Sequence, residues 1–236
     1  MGLQYRRVIL KVSGEMLGEG DDNFAPARFR YLIQEIQAAL QLGARMGIVV
    51  GGGNVFRGRN VQHLGIHRVT GDAMGMLGTV INALALADLL EQAGVPASVL
   101  AAREVEALVP RYHPEKAREA LEAGRVVLLA GGTGNPFFTT DTAAALRAAE
   151  LQADAVLKAT KVRGVFTGDP ETDPSARFLP ELTFQEMIER RLRVVDLTAA
   201  TLLLEARIPL VVFALLEPGT LVRVLQGERV GTLVKP

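Results

Sequence analysis

Short apolar runs rich in valine, leucine and isoleucine alternate along this chain with longer segments of helical periodicity. These runs predict β-strands at residues 8–12, 47–50, 97–101, 126–130, 155–157 and 210–214. Nearly every position within them is apolar, which is typical of strands that are buried on both faces of a parallel sheet.

Helical patterns occupy the intervals, at residues 26–42, 71–92, 114–122, 140–151, 183–190, 196–206 and 219–226. Pro26 suits a first helical turn, and Gly43 and Gly124 follow the ends of two helices. Strands that alternate with helices predict βαβ units, and therefore an α/β fold with a mainly parallel sheet covered on both faces. Residues 163–180 have weak periodicity and three prolines, which predicts a surface excursion that can include a hairpin.

Composition excludes several classes of function. An apolar content of 49% supports a folded core, and the net charge is zero, so no overall field attracts nucleic acid or anionic lipid. Aromatic residues make up 5% of the chain and tryptophan is absent, which argues against a platform for stacking bases. The lack of cysteine excludes disulfides, thiolate metal sites and cysteine nucleophiles.

The amino terminus does not have the features of a targeting segment. Its apolar run is short and is interrupted by Lys11, unlike that of a signal peptide, and Arg6 occupies the position where myristoylation requires Ser or Thr. We also expect no apolar stretch long enough to span a bilayer. These observations predict a cytoplasmic protein that does not bind membranes.

Glycine-rich turns follow three of the predicted strands. They are Ser13-Gly14, the GGGN turn at residues 51–54, and the stretch GGTGNPFFTTD at residues 131–141. Glycine lets the backbone adopt positive φ, and successive N–H groups can then converge on an anion. A single turn of this kind can simply reverse the chain, but three of them at strand ends favour a phosphate-binding crevice.

The standard nucleotide and metal motifs are absent. No P-loop pattern occurs, and Phe137 stands where the dinucleotide fingerprint requires its third glycine. The histidines His63, His67 and His113 are scattered among polar residues, so we expect them on the surface rather than around a metal.

Charged residues near the glycine turns are candidates for anion binding. Lys11 interrupts an apolar strand, where a lysine is costly unless its ammonium group reaches a partner or solvent. Arg57 can clamp a phosphate with two hydrogen bonds. Asp72 and Asp141 each stand at the predicted start of a helix, so each can be a helix cap, a ligand-binding group, or both.

Five motifs resemble those of the bacterial uridylate (UMP) kinases, a branch of the amino acid kinase family. In order, they are KVSG at 11–14, GGGNVFRG at 51–58, GDAMGM at 71–76, GTGNPFFTTD at 132–141 and KATKVRGVFTGDP at 158–170. The resemblance covers nearly the whole chain. It implies a single three-layer αβα domain over residues 1–236, with UMP bound by the amino-terminal half and ATP by the part from about residue 150.

The resemblance also implies transfer of the γ-phosphoryl group of ATP to UMP, which gives ADP and UDP. Catalytic roles are implied for Lys11, Arg57, Asp141 and Asp196. The implied UMP-binding residues are Gly52, Arg57, Asp72, Thr133, Gly134, Asn135, Pro136, Phe137, Phe138, Thr139 and Thr140. The implied ATP-binding residues are Lys11, Val12, Ser13, Gly14, Gly53, Arg57, Thr160, Phe166 and Asp169.

Further implications are Mg²⁺ carried by the ATP phosphates rather than by a protein metal site, a homohexamer, activation by GTP and inhibition by UTP. The loop at residues 17–24 fits the family pattern only loosely, and residues 87–92 lack the Arg and His that some members carry for GTP. The apolar surplus of the helix predicted at 71–92 suits either a subunit interface or burial within the monomer.

Alternative functions remain open from the sequence. Another amino acid kinase, acting on acetylglutamate, aspartate or carbamate, has the same fold. A non-catalytic nucleotide-binding regulator on this fold is a second alternative, although Lys11, Asp141 and Asp169 favour an enzyme. The zero net charge gives no support to nucleic-acid binding.

Overall fold

The computed structural model describes residues 2–56, 64–170, 172–192, 194–215 and 217–236. Its strands are β1 (Arg7–Val12), β2 (Arg45–Val50), β3 (Ala97–Ala101), β4 (Val126–Ala130), β5 (Ala155–Thr160), β6 (Val165–Phe166), β7 (Phe178–Leu179), β8 (Glu181–Thr183), β9 (Leu210–Ala214) and β10 (Thr232–Lys235). Its helices are α1 (Pro26–Gln41), α2 (Arg68–Gln92), α3 (Pro114–Glu122), α4 (Thr140–Leu151), α5 (Phe184–Glu189), α6 (Leu197–Ala206) and α7 (Thr220–Leu225), with a short 3₁₀ helix at Gly14–Met16.

Eight strands form a central sheet in the order β3-β4-β2-β1-β5-β9-β10-β8. Neighbouring strands run parallel except β9 and β10, which pair antiparallel. The predicted mainly parallel sheet is therefore confirmed, with β1 and β5 at its centre. In the region predicted as a surface excursion, β6 and β7 pair antiparallel outside this sheet.

Helices cover both faces of the sheet and give three layers. Along β1, Val8 and Leu10 point into a core built with α1, α2 and α7, whereas Ile9 points into a core built with α3, α4, α5 and α6. This alternation explains why the strands read as continuous apolar runs, since both faces of each strand are buried. It also assigns Lys11, which follows Ile9 by two residues, to the face that α4 covers.

Helix α2 corrects one expectation. By length and composition it is the one helix in the described part of the chain that could cross a membrane, so the prediction that no apolar stretch is long enough was wrong. However, 44% of its most apolar window is buried inside the structure, and it packs against β3 and β4. Core helices of soluble proteins meet the same criterion, so the length of α2 is weak support for a membrane span.

A buried carboxylate joins α1 to the start of α7. Glu35 is 3% exposed and accepts hydrogen bonds from the N–H groups of Gly219 at 2.5 Å and Leu221 at 2.9 Å. The hydroxyl of Tyr31 donates to the carbonyl of Glu217 at 2.7 Å in the same junction. An anion at a helix start satisfies N–H groups that otherwise have no partner within the helix.

We expect Glu35→Ala to lower the free energy of unfolding by about 2 kcal/mol, because buried amides lose their acceptor. Urea denaturation of the variant and the wild type measures this difference. Glu205→Ala, at an exposed position of α6, is the control and should stay within about 0.5 kcal/mol of the wild type. Equal effects of the two substitutions would contradict the role assigned to Glu35.

Candidate active site

Three charged side chains meet where β1 and β5 approach their carboxyl ends. Lys11 and Lys158 are paired residues in the parallel β1–β5 register, so their side chains emerge on the same face. Asp141, in the first turn of α4, lies between them, with Oδ1 2.9 Å from Lys11 Nζ and Oδ2 2.6 Å from Lys158 Nζ. We call Lys11, Asp141 and Lys158 the charged triad.

The charged triad is largely shielded from solvent. The side chains of Lys11, Asp141 and Lys158 are 11%, 14% and 15% exposed. Two ammonium groups face one carboxylate, so the triad itself carries an excess positive charge. In a desolvated setting such an excess favours the binding of a further anion.

The pKa shifts of the triad follow from this arrangement. Burial opposes ionisation of Asp141, but Lys11 and Lys158 outweigh it and hold the pKa of the carboxyl below its ordinary value of 3.8. Burial lowers the pKa of Lys158, with a further lowering from Lys11 that the carboxylates of Asp141 and Asp196 oppose. An anion bound beside Lys158 would favour its charged form.

Thr139 caps α4 and leaves the Asp141 carboxylate available to the lysines. The Thr139 hydroxyl oxygen accepts from the N–H groups of Asp141 at 3.0 Å and Thr142 at 3.3 Å. The alternative that Asp141 caps this helix is therefore wrong. A dedicated cap residue two positions earlier allows the carboxylate to point across the sheet end.

Asp196 supports the triad from the neighbouring helix. It caps α6 by accepting from Ala199 N at 2.9 Å, and it also accepts from Thr142 Oγ1 at 2.9 Å and Thr139 Oγ1 at 2.5 Å. These bonds tie α6 to the start of α4. Asp196 thus lies beside the triad, as its predicted role requires, but its oxygens already accept hydrogen bonds from protein groups.

The stretch after β4, residues 131–138, is called the acceptor loop below, after the role in binding the phosphoryl acceptor that the resemblance implies for it. Its backbone is left-handed at Gly131, Gly132, Gly134 and Phe137, with φ of 74°, 59°, 81° and 72°. Three of these positions are glycines, which adopt such angles at little cost, whereas Phe137 needs support from its surroundings. The side chains of Phe137 and Phe138 are exposed.

Asp72 provides that support. Its Oδ2 accepts from Phe137 N at 2.8 Å, and both of its oxygens accept from Arg68 Nε at 3.0 Å. The Arg68 guanidinium also lies 5.4 Å from the centre of the Phe137 ring. Helix α2 begins at Arg68 rather than at the predicted position 71, so Asp72 lies inside the helix and the expectation that it caps the helix is wrong.

The rest of the acceptor loop is held by local hydrogen bonds. Thr133 Oγ1 accepts from Asn135 N at 3.2 Å, and Arg103 Nε donates to the carbonyl of Gly134 at 2.6 Å. Pro136 is half-buried, and Thr140 is the first residue of α4. The predicted UMP-binding residues 133–140 are thereby brought into one stretch that leads directly to Asp141.

Two glycine turns lie against each other beside this loop. A Cβ added to Gly14 would come within 2.5 Å of Gly51 O and of Asn54 Oδ1, so this contact requires glycine. Ser13, Gly14, Gly52 and Gly53 are thus gathered at adjoining strand ends, as predicted. Arg57 and His63 lie outside the described residues, while His67 and His113 are exposed, as expected.

A cavity of about 560 Å³ opens beside Lys158 of the charged triad. The predicted ATP-binding residues Thr160, Phe166 and Asp169 line it together with Lys158. Lys158 Nζ also donates to the carbonyl of Val194 at 2.5 Å, on the wall of the same cavity. Lys158 therefore links this cavity to the charged triad.

Lys158 was missing from the predicted site residues, although it lies in one of the motifs. The signal was the one that identified Lys11, namely a lysine within a buried apolar strand. What the sequence could not provide was the β1–β5 register, which places the two lysines side by side.

A second cleft, of about 690 Å³, lies beside the loop at residues 15–23. Val12 and Gly53, both predicted to bind ATP, line this cleft rather than the cavity around Thr160. The structure therefore divides the predicted ATP-binding residues between two openings. Among the described residues, no group of three or more His, Cys, Asp or Glu side chains is placed to hold a metal ion.

Comparison with known proteins decides the family. Residues 6–214 match the model of the amino acid kinase family. The chain belongs to the amino acid kinase family. This kinase is 46% identical to the uridylate kinase of Stutzerimonas stutzeri, with 98% of the chain and 94% of that protein covered.

Two further comparisons agree. The kinase is 49% identical to the chloroplastic uridylate kinase PUMPKIN of Arabidopsis thaliana, covering 98% of the chain and 69% of that protein. The crystal structure of UMP kinase from Bacillus anthracis superposes with a TM-score of 0.95 at 36% identity, covering 98% of the chain and 96% of that structure. The predicted family and the three-layer fold are confirmed.

We expect Asp141→Asn to lower the free energy of unfolding at neutral pH by about 3 kcal/mol, because it leaves two buried ammonium groups without their anion. The pKa of Asp141 is depressed in the folded protein, so its stabilising contribution is complete above the ordinary value of 3.8 and is lost as pH falls through the folded value. Chemical denaturation at a series of pH values measures the difference between variant and wild type.

That difference should shrink in acid, where the wild-type carboxyl also becomes neutral. Asp88→Asn is the control, because Asp88 is exposed on α2 and should change stability by no more than about 0.5 kcal/mol. A difference between Asp141→Asn and the wild type that does not depend on pH would contradict the ion-pair account.

Proposed function

We propose that this protein is a UMP kinase, which transfers the γ-phosphoryl group of ATP to UMP and releases ADP and UDP. The observation that carries the proposal is that the charged triad connects the two candidate binding regions. Asp141 follows the acceptor loop at the start of α4, and Lys158 lines the cavity together with Thr160, Phe166 and Asp169. Relatives named uridylate kinase, which align over nearly the whole chain, support the same activity.

Phosphoryl transfer requires little covalent chemistry from the protein itself. In the proposed reaction a phosphate oxygen of UMP attacks the γ-phosphorus of ATP, and the bond from that phosphorus to the β–γ bridging oxygen breaks. The UMP phosphate is already ionised near neutral pH, so no general base is needed. Catalysis then rests on in-line positioning and on cations that neutralise the moving charge.

The charged triad suits that task. Lys11 on β1 and Lys158 on β5 would contact the oxygens of the transferred phosphoryl group. Asp141, which lies between the two ammonium groups, would keep both oriented towards that group. Asp196 supports this geometry through Thr139 and Thr142 rather than by reaching the phosphates itself. Removing one such preorganised charge typically lowers turnover by about a hundredfold or more.

Mg²⁺ would enter this site with ATP. The carboxylates nearest the centre already have protein partners, Asp141 with the lysines and Asp196 with Thr139, Thr142 and Ala199. This donor set fits a metal held mainly by the nucleotide phosphates. When bound, the ion would neutralise phosphate charge as the transfer proceeds.

The two nucleotides would bind to different halves of one domain. The acceptor loop and Asp72 would hold UMP, with backbone groups of residues 133–140 facing the uridylate and Arg57 binding its phosphate. The part from about residue 150 would hold ATP through Thr160, Phe166 and Asp169. The glycine turns would supply N–H groups and allow close approach of the nucleotide phosphates, through Gly14, Gly52 and Gly53.

A homohexamer belongs to the same proposal. Val69, Leu77, Ile81 and Leu84 leave an exposed apolar face on α2, which suits a contact between subunits. Light scattering should give six times the chain mass of 25.3 kDa, and a mass of one chain would contradict this part. Activation by GTP, inhibition by UTP and a cytoplasmic location are further parts of the proposal.

The direct test is ADP release with UMP, CMP, dUMP, acetylglutamate, aspartate and carbamate as separate acceptors. We expect turnover with UMP to exceed that with every other acceptor, and to require both ATP and a divalent cation. Repeating the UMP assay with GTP and with UTP tests the proposed regulation.

The same assay separates the alternatives. Faster ADP release with acetylglutamate, aspartate or carbamate would assign the protein to another amino acid kinase activity. Calorimetric binding of UMP without ADP release would favour a non-catalytic regulator. Either result would overturn the proposed function.

A further inference from the structure

The inner face of α2 contacts two glycine-rich segments, the turn at residues 51–54 and the start of the acceptor loop. Gly75, Gly78, Thr79 and Asn82 share this face because they are spaced by three, four and seven residues. A Cβ added to Gly52 would lie 2.7 Å from Gly75 O and 3.0 Å from Thr79 N. The turn at residues 51–54 therefore rests directly on the backbone of the helix.

Thr79 connects this face to the acceptor loop. Its buried hydroxyl donates to Met76 O at 2.7 Å and accepts from Gly131 N at 2.8 Å. The hydroxyl proton is therefore used within the helix, which leaves the oxygen to receive the N–H group at the start of the loop. Gly131 is the first of the left-handed residues, so this bond sets the direction in which the chain leaves β4.

Asn82 connects the same face to the other turn. It is fully buried, and its Nδ2 donates to Gly51 O at 2.6 Å and to Asn54 Oδ1 at 2.7 Å. Asn54 Nδ2 in turn lies 3.1 Å from Asn82 Oδ1 and 2.8 Å from Asn23 O. The two amides thus join the helix, the turn and the loop that follows β1.

We propose that Thr79 and Asn82 are positioning residues that hold the acceptor loop and the turn at residues 51–54 in a fixed geometry relative to each other during the reaction. Thr79 fixes the acceptor loop, and Asn82 fixes the turn at residues 51–54. The inference rests on the proposed function where it assigns the acceptor loop to UMP. Neither side chain contacts the charged triad, so each acts through the backbone that it holds.

The physical reason is that hydrogen bonds, rather than apolar packing, define the course of these two segments. Glycine-rich segments lose more conformational entropy on ordering than any other sequence, and apolar packing gives no direction to a backbone N–H group. Hydrogen bonds from buried partners do give direction, and leaving such a group unsatisfied is costly. Misplacement of a substrate by about 1 Å can lower turnover on the order of a hundredfold.

Thr79→Val and Thr79→Ser are a matched pair of variants that tests whether Thr79 fixes the acceptor loop. Valine keeps the shape and removes the acceptor for Gly131 N, whereas serine keeps the hydroxyl. We expect Thr79→Val to raise KM for UMP about tenfold, the effect of one hydrogen bond, with KM for ATP changed by less than about twofold. Thr79→Ser should stay within about twofold of the wild type for both substrates.

A second measurement does not require UMP or any other phosphoryl acceptor. Amide hydrogen exchange of the nucleotide-free protein should become faster at residues 131–138 in Thr79→Val, and remain at the wild-type rate in Thr79→Ser. Residues 51–54 should be unaffected in both variants. Asn54→Asp loses the donor to Asn82 Oδ1 and Asn23 O, and should give the reverse pattern, with faster exchange only at residues 51–54.

These outcomes separate the two proposals. No ADP release by the wild type with UMP would overturn the proposed function, while the exchange rates would still decide the positioning role. Unchanged exchange in Thr79→Val, or equal acceleration in both segments for either variant, would overturn the positioning role. An equal rise in KM for UMP and ATP in Thr79→Val would overturn it as well.

Discussion

The burial of two lysines around one aspartate is the constraint on which the rest of this molecule depends. Charges removed from water are tolerated only when they are paired in good geometry. Here the parallel β1–β5 register sets the lysines side by side, and α4 delivers Asp141 between them. Thr139 must cap α4 in place of the aspartate, and Asp196 must hold Thr139 and Thr142 from α6. One carboxylate cannot balance the charge of two ammonium groups, so the charged triad is suited to bind the phosphates of nucleotides.

Helix α2 organises the acceptor side in a comparable way. Its inner face holds backbone groups through Asp72, Thr79 and Asn82, whereas Leu77 and Ile81 on its other face are exposed. One helix can therefore set the geometry of two glycine-rich segments and still leave an apolar surface exposed. This arrangement gives a structural reason for a long helix with more apolar residues than one core-facing stripe requires.

Periodicity and turn chemistry predicted much of this structure from the sequence. In the described part of the chain, the long strands and the seven α-helices lie within a few residues of where their apolar patterns indicated, because local pattern and final burial agree at those positions. Short strands such as β8 and β10 were missed, since few residues carry their pattern. The helix-capping expectation for Asp72 was wrong because α2 begins three residues before its predicted start. The expectation for Asp141 was wrong because Thr139, which directly precedes α4, supplies the cap. The role of Lys158 depends on strand register, and the Thr79–Gly131 bond joins residues 52 positions apart.

We expect the phosphates of UMP and of ATP to meet at the charged triad. A crystal structure with a bisubstrate ligand, adenosine joined to uridine through a chain of phosphates, tests it most directly. We expect bridging phosphates within hydrogen-bond distance of both Lys11 Nζ and Lys158 Nζ, with uracil against residues 131–138 and adenine in the cavity lined by Thr160 and Phe166. Phosphates bound away from both lysines, for example in the cleft beside residues 15–23, would contradict it.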